Sequence, residues 1–521
     1  MPITMSKGLG PNPTRFCIIS DSEFFPRSML AVTISERAWI KWHRWQGTDF
    51  EAIAAAFEKN GPYVRLGPTE VATNCKEGFD SAYGVGKRNF DRFSTYNYFI
   101  NHGTRNMFTS LNAKQHSRRR GRISTVYSRA YIQSSPHFQA LLKTMLLGRM
   151  MPIFDQASET KAGSVDVLPL LHAYPLDFMS AFVFGLSEGH NLIRDLDYRE
   201  KWLGIYQVIF MSNAASLLGE FRRITQTLTK FGAHLLPKGY FEIRQLSEDW
   251  ASSKARRAEQ SIQKSYATGE PLAPGELPIV YNAVRNGIAQ ENGVEKSFTP
   301  SDEQFRELAS ECNDQIGIAF SYLFYELSRH PTAQDDLRQE LLSLPAPFYL
   351  DHSQSPSQQE LPPPEDLQRL PFLNAVIRES LRLRNSPPGM DPRVTPQGCL
   401  SDIGPYKNIP PGVRIGAYTH LLHRSSDLYD DPLVWNPYRW LKKNGQYTDG
   451  KNKALFSFSG GSRGCIGQHI GMELMRNALA AVYTNYKTTV ADESEYPGNN
   501  GFVAGDGTEK IWIEFRKLEQ L

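Results

Sequence analysis

The sequence predicts a mainly helical chain carrying small β-sheets, an α+β fold, and three observations lead there. After Cys465, apolar side chains recur at Ile466, Ile470, Leu474, Ala478, Val482 and Tyr486, the i, i+4 stripe of a buried helix face. The stretch from Leu370 to Leu383 sets Leu373, Val376, Ile377 and Leu381 on one helical face, and residues 135–265 keep a mostly helical pattern between polar turns at 187–190 and 237–239. Strand signals are short by comparison: Tyr63-Val-Arg-Leu-Gly67 after a Gly-Pro turn, and Arg393-Val-Thr395 between two prolines.

Composition narrows the function classes. A formal charge of +3 is too small to argue for a nucleic-acid partner. Five cysteines (Cys17, Cys75, Cys312, Cys399 and Cys465) are odd in number and widely spaced, with neither a disulfide framework nor a zinc spacing, which fits a reducing, intracellular setting. No run reaches the roughly 18 consecutive apolar residues of a membrane span, and the longest candidate, residues 178–186, reads as a core helix segment. The N-terminus is polar and has no signal-peptide apolar core, so residues 1–50 are expected to form an irregular lead-in without a transmembrane anchor.

In chain order, residues 57–68 read as a helix end, a Gly-Pro turn and a strand. Residues 85–112, rich in aromatics, asparagine and glycine, read as an exposed loop. His116-Ser-Arg-Arg-Arg-Gly-Arg122 is the densest basic run; alone it is a solvated helix face, with a nuclear-localisation patch as the rival reading. Residues 265–300 look like a connection. Ser301 with Gln304 forms a capping box that opens a long helix ending at Glu326-Leu-Ser-Arg-His-Pro331. Residues 345–364, with three prolines in a row, read as a surface loop. Glu379 and Arg382 then stand at i, i+3, a pair that on a helix surface is worth little.

Cys465 falls where the loop Phe458-Ser-Gly-Gly-Ser-Arg-Gly-Cys-Ile-Gly467 becomes a helix. The helix dipole and free N–H groups there stabilise a thiolate, and a thiolate so supported is a soft ligand for iron. An isolated cysteine in such a turn is more often a buried structural thiol, but the full pattern Phe-x-x-Gly-x-Arg-x-Cys-x-Gly is far more specific. It resembles the haem-binding loop of the cytochrome P-450 monooxygenases. Glu379-x-x-Arg382 resembles that family's Glu-x-x-Arg helix, and Pro437-Tyr-Arg439-Trp440 its Pro-x-Arg-aromatic element.

The resemblance implies a cytochrome P-450 fold, with residues 51–521 as one catalytic domain. It implies haem b (iron protoporphyrin IX) on an axial Cys465 thiolate, within a loop shaped by Phe458, Gly461 and Gly467. His116 and Arg120, four residues apart on one helix face, match the family's propionate-facing pair, with histidine in place of the usual tryptophan as in fungal members. Arg393 and Arg463 take the places of further propionate-binding arginines. Glu379, Arg382 and Arg439 would close a buried structural triad, whose disruption strands charge at a cost of about 3–5 kcal/mol. Arg118, Arg119 and Arg122 are then free to face an acidic redox partner. Function follows as insertion of one oxygen atom into a small lipophilic substrate of fungal secondary metabolism (terpenoid, polyketide or alkaloid). Electrons would come from NADPH through NADPH-cytochrome P-450 reductase, with endoplasmic-reticulum association and peripheral membrane contact. Pocket walls are expected at residues 85–112, 200–235, 305–320, 385–391 and 499–506.

One element departs from the family. Its central helix normally carries (Ala/Gly)-Gly-x-(Asp/Glu)-Thr-Thr, whereas Leu308-Ala-Ser-Glu-Cys-Asn-Asp-Gln-Ile-Gly-Ile-Ala-Phe320 has no threonine. Aligned without a gap, Cys312 takes the glycine place, Asp314 the catalytic acid and Gln315 the first threonine. Aligned with a gap, about seven residues, two helical turns, are missing after Ile316. A non-oxygenating haem protein, such as one rearranging a preformed peroxide, is therefore the alternative function, and a helical scaffold without haem the third.

Overall fold

Helix Val167–Phe184 is apolar nearly all round, and such a helix belongs inside a protein rather than on its surface. The computed structural model, which describes residues 39–84, 90–160, 163–211, 218–231, 233, 235–313, 320–384, 391–442, 455–492 and 510–519, places it there. Among the described residues it is the one helix long and apolar enough to cross a membrane by length and composition, and 78% of it is buried within the protein. Helices Pro136–Lys143, Ile279–Asn292 and Ser321–Arg329 pack against it. One large core joins their apolar faces to those of Pro371–Leu383 and Gln468–Asn485. Helix Gln468–Asn485 buries Ile470, Leu474, Ala478 and Val482, the stripe read from the sequence.

The sheets are small and gather distant segments. A five-stranded sheet runs in the order Tyr63–Gly67, Glu70–Thr73, Arg414–Ala417, Arg393–Val394, Asp91–Arg92. Glu70–Thr73 and Arg414–Ala417 pair in parallel and the other neighbours antiparallel, which draws residues from both ends of the chain to one edge of the helical body. Helix Lys76–Tyr83 buries Phe79 and Tyr83 beneath this sheet, where Phe456 stacks on Phe79 at 3.8 Å. Antiparallel strands Ser164–Asp166, Trp512–Lys517 and Tyr486–Asp492 form a second sheet. It is sealed by Phe154, whose ring lies 4.2 Å from that of Phe515 at 12°.

Three segments differ from the sequence reading. Within the expected lead-in, residues 39–50 belong to helices Trp39–Gln46 and Asp49–Asn60, because Trp39, Ile40, Ile53 and Phe57 close a core with Val64 and Ala72 of the sheet. Residues 265–300 contain helix Ile279–Asn292, whose Val280, Val284 and Ile288 repeat every four residues between glycine- and proline-rich flanks that obscure the period. Residues 90–112 are largely enclosed, with Tyr96, Tyr98, Asn106, Thr109 and Ser110 buried. Arginine side chains capture this segment's carbonyls: Arg244 binds those of Tyr98 and Ile100, and Arg463 those of Ser110 and Leu111.

Phe154 is fully buried, so Phe154→Ala should lower stability by about 3–5 kcal/mol. Denaturant unfolding followed by circular dichroism measures this, and a loss below about 1 kcal/mol would mean that the second sheet does not depend on the Phe154–Phe515 stack.

Candidate functional site

The cysteine loop is a set of tight turns that only particular residues can make. Cys465 donates its N–H to the Phe458 carbonyl at 2.8 Å, and Ser459 and Gly464 donate to Phe456 and Gly461. Gly461 has φ +66°, and a Cβ there would lie 2.0 Å from the Tyr83 carbonyl oxygen, so glycine is required twice over. A Cβ on Gly467 would sit 3.8 Å from Cys465 Sγ, which leaves one side of the sulfur lined by backbone alone. Burial pushes the Cys465 thiol up, while the Gly467 N–H, the Arg120 guanidinium and the Gln468 N–H favour the thiolate. Cys465 nonetheless keeps accessible surface, so its sulfur borders a hollow enclosed by the protein.

Around that hollow the chain concentrates positive charge. His116 and Arg120 lie on helix Ala113–Ile123, and Arg120 donates to the Gly464 carbonyl at 2.9 Å. Arg463 donates to the carbonyls of Ser110 (2.7 Å) and Leu111 (2.6 Å), and its buried Nε has no partner among the described residues. Burial, then Arg92 and Arg393, bring Arg463 down to about 9, and burial with Arg463, Arg92, Arg120 and Arg393 holds His116 at about 3. Arg92, stacked 4.2 Å from the Tyr96 ring centroid, is a member of this cluster that no sequence motif marks, and its buried Nε is likewise unpartnered. Arg393 differs in being satisfied, with both Nη atoms on Asp391 at 2.7 Å. Burial alone would raise the Asp391 carboxyl, but Arg393 and Arg92 hold it well below its usual range.

Orphaned guanidinium nitrogens in a buried cluster call for anionic partners. A flat group carrying two carboxylates and a soft metal fits this donor set: Arg463 and Arg92 for the carboxylates, the Cys465 thiolate for the metal. Haem b has that chemistry.

A second ion-pair group supports the loop from behind. Glu379 receives Arg382 at 2.9 and 2.8 Å, Arg439 Nε at 3.1 Å, the Trp440 indole N–H at 2.9 Å and the Asn436 N–H at 2.9 Å. Glu379 and Arg382 have no exposed side-chain surface, unlike the surface pair their spacing alone would suggest. Arg382 also donates to the His423 carbonyl at 2.6 Å, and His423 Nε2 accepts the Phe456 N–H at 2.8 Å. Ser457 Oγ ties the same stretch to the Leu381 carbonyl.

Other expected residues are placed differently or not at all. Asp314 and Gln315 lie outside the described residues, between helices Asp302–Asn313 and Ser321–Arg329, as do residues 385–390 and 499–506. Segments 200–235 and 305–320 meet at a cavity of about 80 Å³ lined by Ile205, Tyr206, Ile209 and Cys312 with Trp202 and Trp250. The basic run is largely engaged within the chain, although Arg118 keeps 64% of its side-chain surface exposed. Arg118 and Arg122 pair with Glu291, and Arg119 with Glu307 (2.9 Å) and Glu311 (2.5 Å), because the neighbouring helices present carboxylates to it.

Comparison with known proteins agrees with this geometry. The family model described as Cytochrome P450 matches residues 38–505. The chain is 23% identical to cytochrome P450 monooxygenase FGM1 of Gibberella zeae, covering 86% of this chain and 83% of that protein. It is 23% identical to fusicoccadiene C-8 hydroxylase of Alternaria brassicicola (84% and 79% covered) and 24% identical to cytochrome P450 monooxygenase avaI of Aspergillus versicolor (81% and 94%).

Removing Glu379 leaves Arg382 and Arg439 buried without their carboxylate, so Glu379→Ala should cost about 3–5 kcal/mol in urea unfolding. A loss under about 1 kcal/mol would show that the surrounding carbonyls hold the two arginines unaided.

Proposed function

The chain belongs to the cytochrome P450 family, and from that premise we propose that it is a haem-thiolate monooxygenase whose single catalytic domain inserts one oxygen atom into a small lipophilic substrate. The observation that carries the site assignment is the buried, under-compensated pair Arg463 and Arg92 beside an N–H-supported thiol. Cys465 would ligate the iron, with the N–H groups of Gly467 and Gln468 limiting the charge on Sγ. Arg463 and Arg92 would bind the haem carboxylates, and Arg120, hydrogen-bonded to the Gly464 carbonyl, would steady the loop. When bound, the haem supplies the redox chemistry that activates dioxygen. Tyr96, Phe99 and Phe108 pack edge to face and offer an apolar wall against water. A hydrocarbon-like substrate suits that wall, and the relative named as a fusicoccadiene hydroxylase supports it. The electron donor on this reading is NADPH-cytochrome P-450 reductase, at the endoplasmic reticulum.

The missing threonine in residues 308–320 favours a second reading, rearrangement of a preformed peroxide. Product formation strictly dependent on reductase and NADPH excludes it, whereas turnover from a peroxide alone would establish it.

The reduced, CO-treated protein should show the long-wavelength Soret band of a thiolate haem, and Cys465→Ser should abolish that band. Persistence of the band in the variant would falsify Cys465 as the ligand.

A further inference from the structure

The segment 104–111 is a strap between two parts of the site. At one end Arg463 of the cysteine loop holds the carbonyls of Ser110 and Leu111. At the other, the strap is fastened to helix Asp302–Asn313 at Ser310. Asn106 Nδ2 donates to the Ser310 carbonyl at 3.1 Å, and Ser310 Oγ donates to the Thr104 carbonyl at 3.4 Å.

Glu311 joins these pieces. Its Oε2 accepts the Met107 N–H at 2.7 Å, and its Oε1 accepts from Arg119 of the helix that carries His116 and Arg120. The carboxylate is 4% exposed, so water does not compete for either bond. Phe108, next to Met107 in the chain, packs its ring on Tyr96 and Phe99 in the apolar wall.

We infer that Glu311 is a positioning residue: it fixes strap 104–111 to the central helix and to the His116–Arg120 helix, and so sets how large a ligand the apolar wall admits over the haem. Without it, among the described residues, the Met107 N–H keeps no acceptor and Arg119 keeps only Glu307 as an ion-pair partner. The strap then remains held at Ser110 and Leu111 but swings at Met107 and Phe108. The inference rests on the proposed haem site for its effect on ligands, while the fastening of the strap is independent of haem.

Two measurements on the full-length chain separate these. In hydrogen–deuterium exchange, Glu311→Ala should speed exchange of peptides covering 104–108 at least about tenfold, with peptides covering 63–73 unchanged. In haem-loaded protein, optical titration should show the affinity for the bulkier 4-phenylimidazole changed about tenfold, and that for imidazole changed less than about twofold. Glu311→Gln, which keeps an acceptor for the Met107 N–H, should return both readouts most of the way to wild type. Unchanged exchange in Glu311→Ala overturns the inference, as does an equal effect on both azoles, which would assign Glu311 to general stability. A wild-type protein without a thiolate-haem spectrum overturns the haem reading and the ligand-size effect with it, and the exchange result still reports on the strap.

Discussion

Arg463 places a guanidinium inside the protein with its Nη groups on two carbonyls and its Nε unpartnered, next to Arg92 and Arg393. Folding alone does not favour such an arrangement, because like charges repel strongly where water is excluded and each buried ion loses hydration. Asp391 compensates Arg393 directly and, with Asp91, offsets part of the remaining positive charge, while the Nε atoms of Arg463 and Arg92 find no partner among the described residues. The same residues build the loop around Cys465, since Arg463 belongs to it and Arg120 binds its Gly464 carbonyl. The buried positive cluster and the placing of the Cys465 thiol therefore depend on the same residues. A bound dicarboxylate that also ligates the sulfur would relieve both strains, and by mass action it would stabilise the folded state.

The loop keeps its shape because it is held from outside. Arg382 reaches from its pair with Glu379 to the His423 carbonyl, and the His423 ring accepts the Phe456 N–H just before the loop begins. Burial, followed by Arg382, Arg424 and His420, keeps His423 neutral, at about 3, so Nε2 remains an acceptor throughout the ordinary pH range. Ion pair, histidine and loop form a continuous hydrogen-bonded chain, and geometry at the sulfur is inherited from a charge cluster that does not touch it.

Legibility in the sequence follows the range of the constraint. Gly461 and the Glu379–Arg382 spacing are legible because each answers a requirement set locally: a positive φ and an i, i+3 contact. Helix Gln468–Asn485 is legible from its four-residue apolar repeat. Arg92 and Glu311 are not, because what gives them meaning lies elsewhere: Glu311 meets Met107 across 204 positions, and no local pattern encodes that encounter. The burial of residues 90–112 escapes for the same reason. Polar, irregular sequence ordinarily marks a surface loop, and only the arrival of Arg244, Arg463 and Glu311 from other elements satisfies its backbone well enough to bury it.

The central helix shows how scaffold and chemistry divide within one element. Its first part, Asp302–Asn313, is fixed by the reciprocal Ser301–Gln304 capping bonds, by buried Leu308 and Ala309, and by Glu311. Its second part, Ser321–Arg329, is fixed independently by Leu323, Phe324 and Leu327 in the main core, by Ser328 on Thr488 at 2.8 Å, and by Glu326 on Arg384 at 3.1 Å. Neither set of anchors involves a residue of the other, so each part is held in place by its own contacts. Aligned without a gap, the family motif sets its glycine on the first part, at Cys312, and runs on to Asp314 and Gln315; aligned with a gap, about seven residues are missing after Ile316. Either alignment of the family motif leaves the Ser301–Gln304 caps, Glu311, Ser328 and Glu326 where they are, so the departure from the motif falls outside the contacts that anchor the two helices.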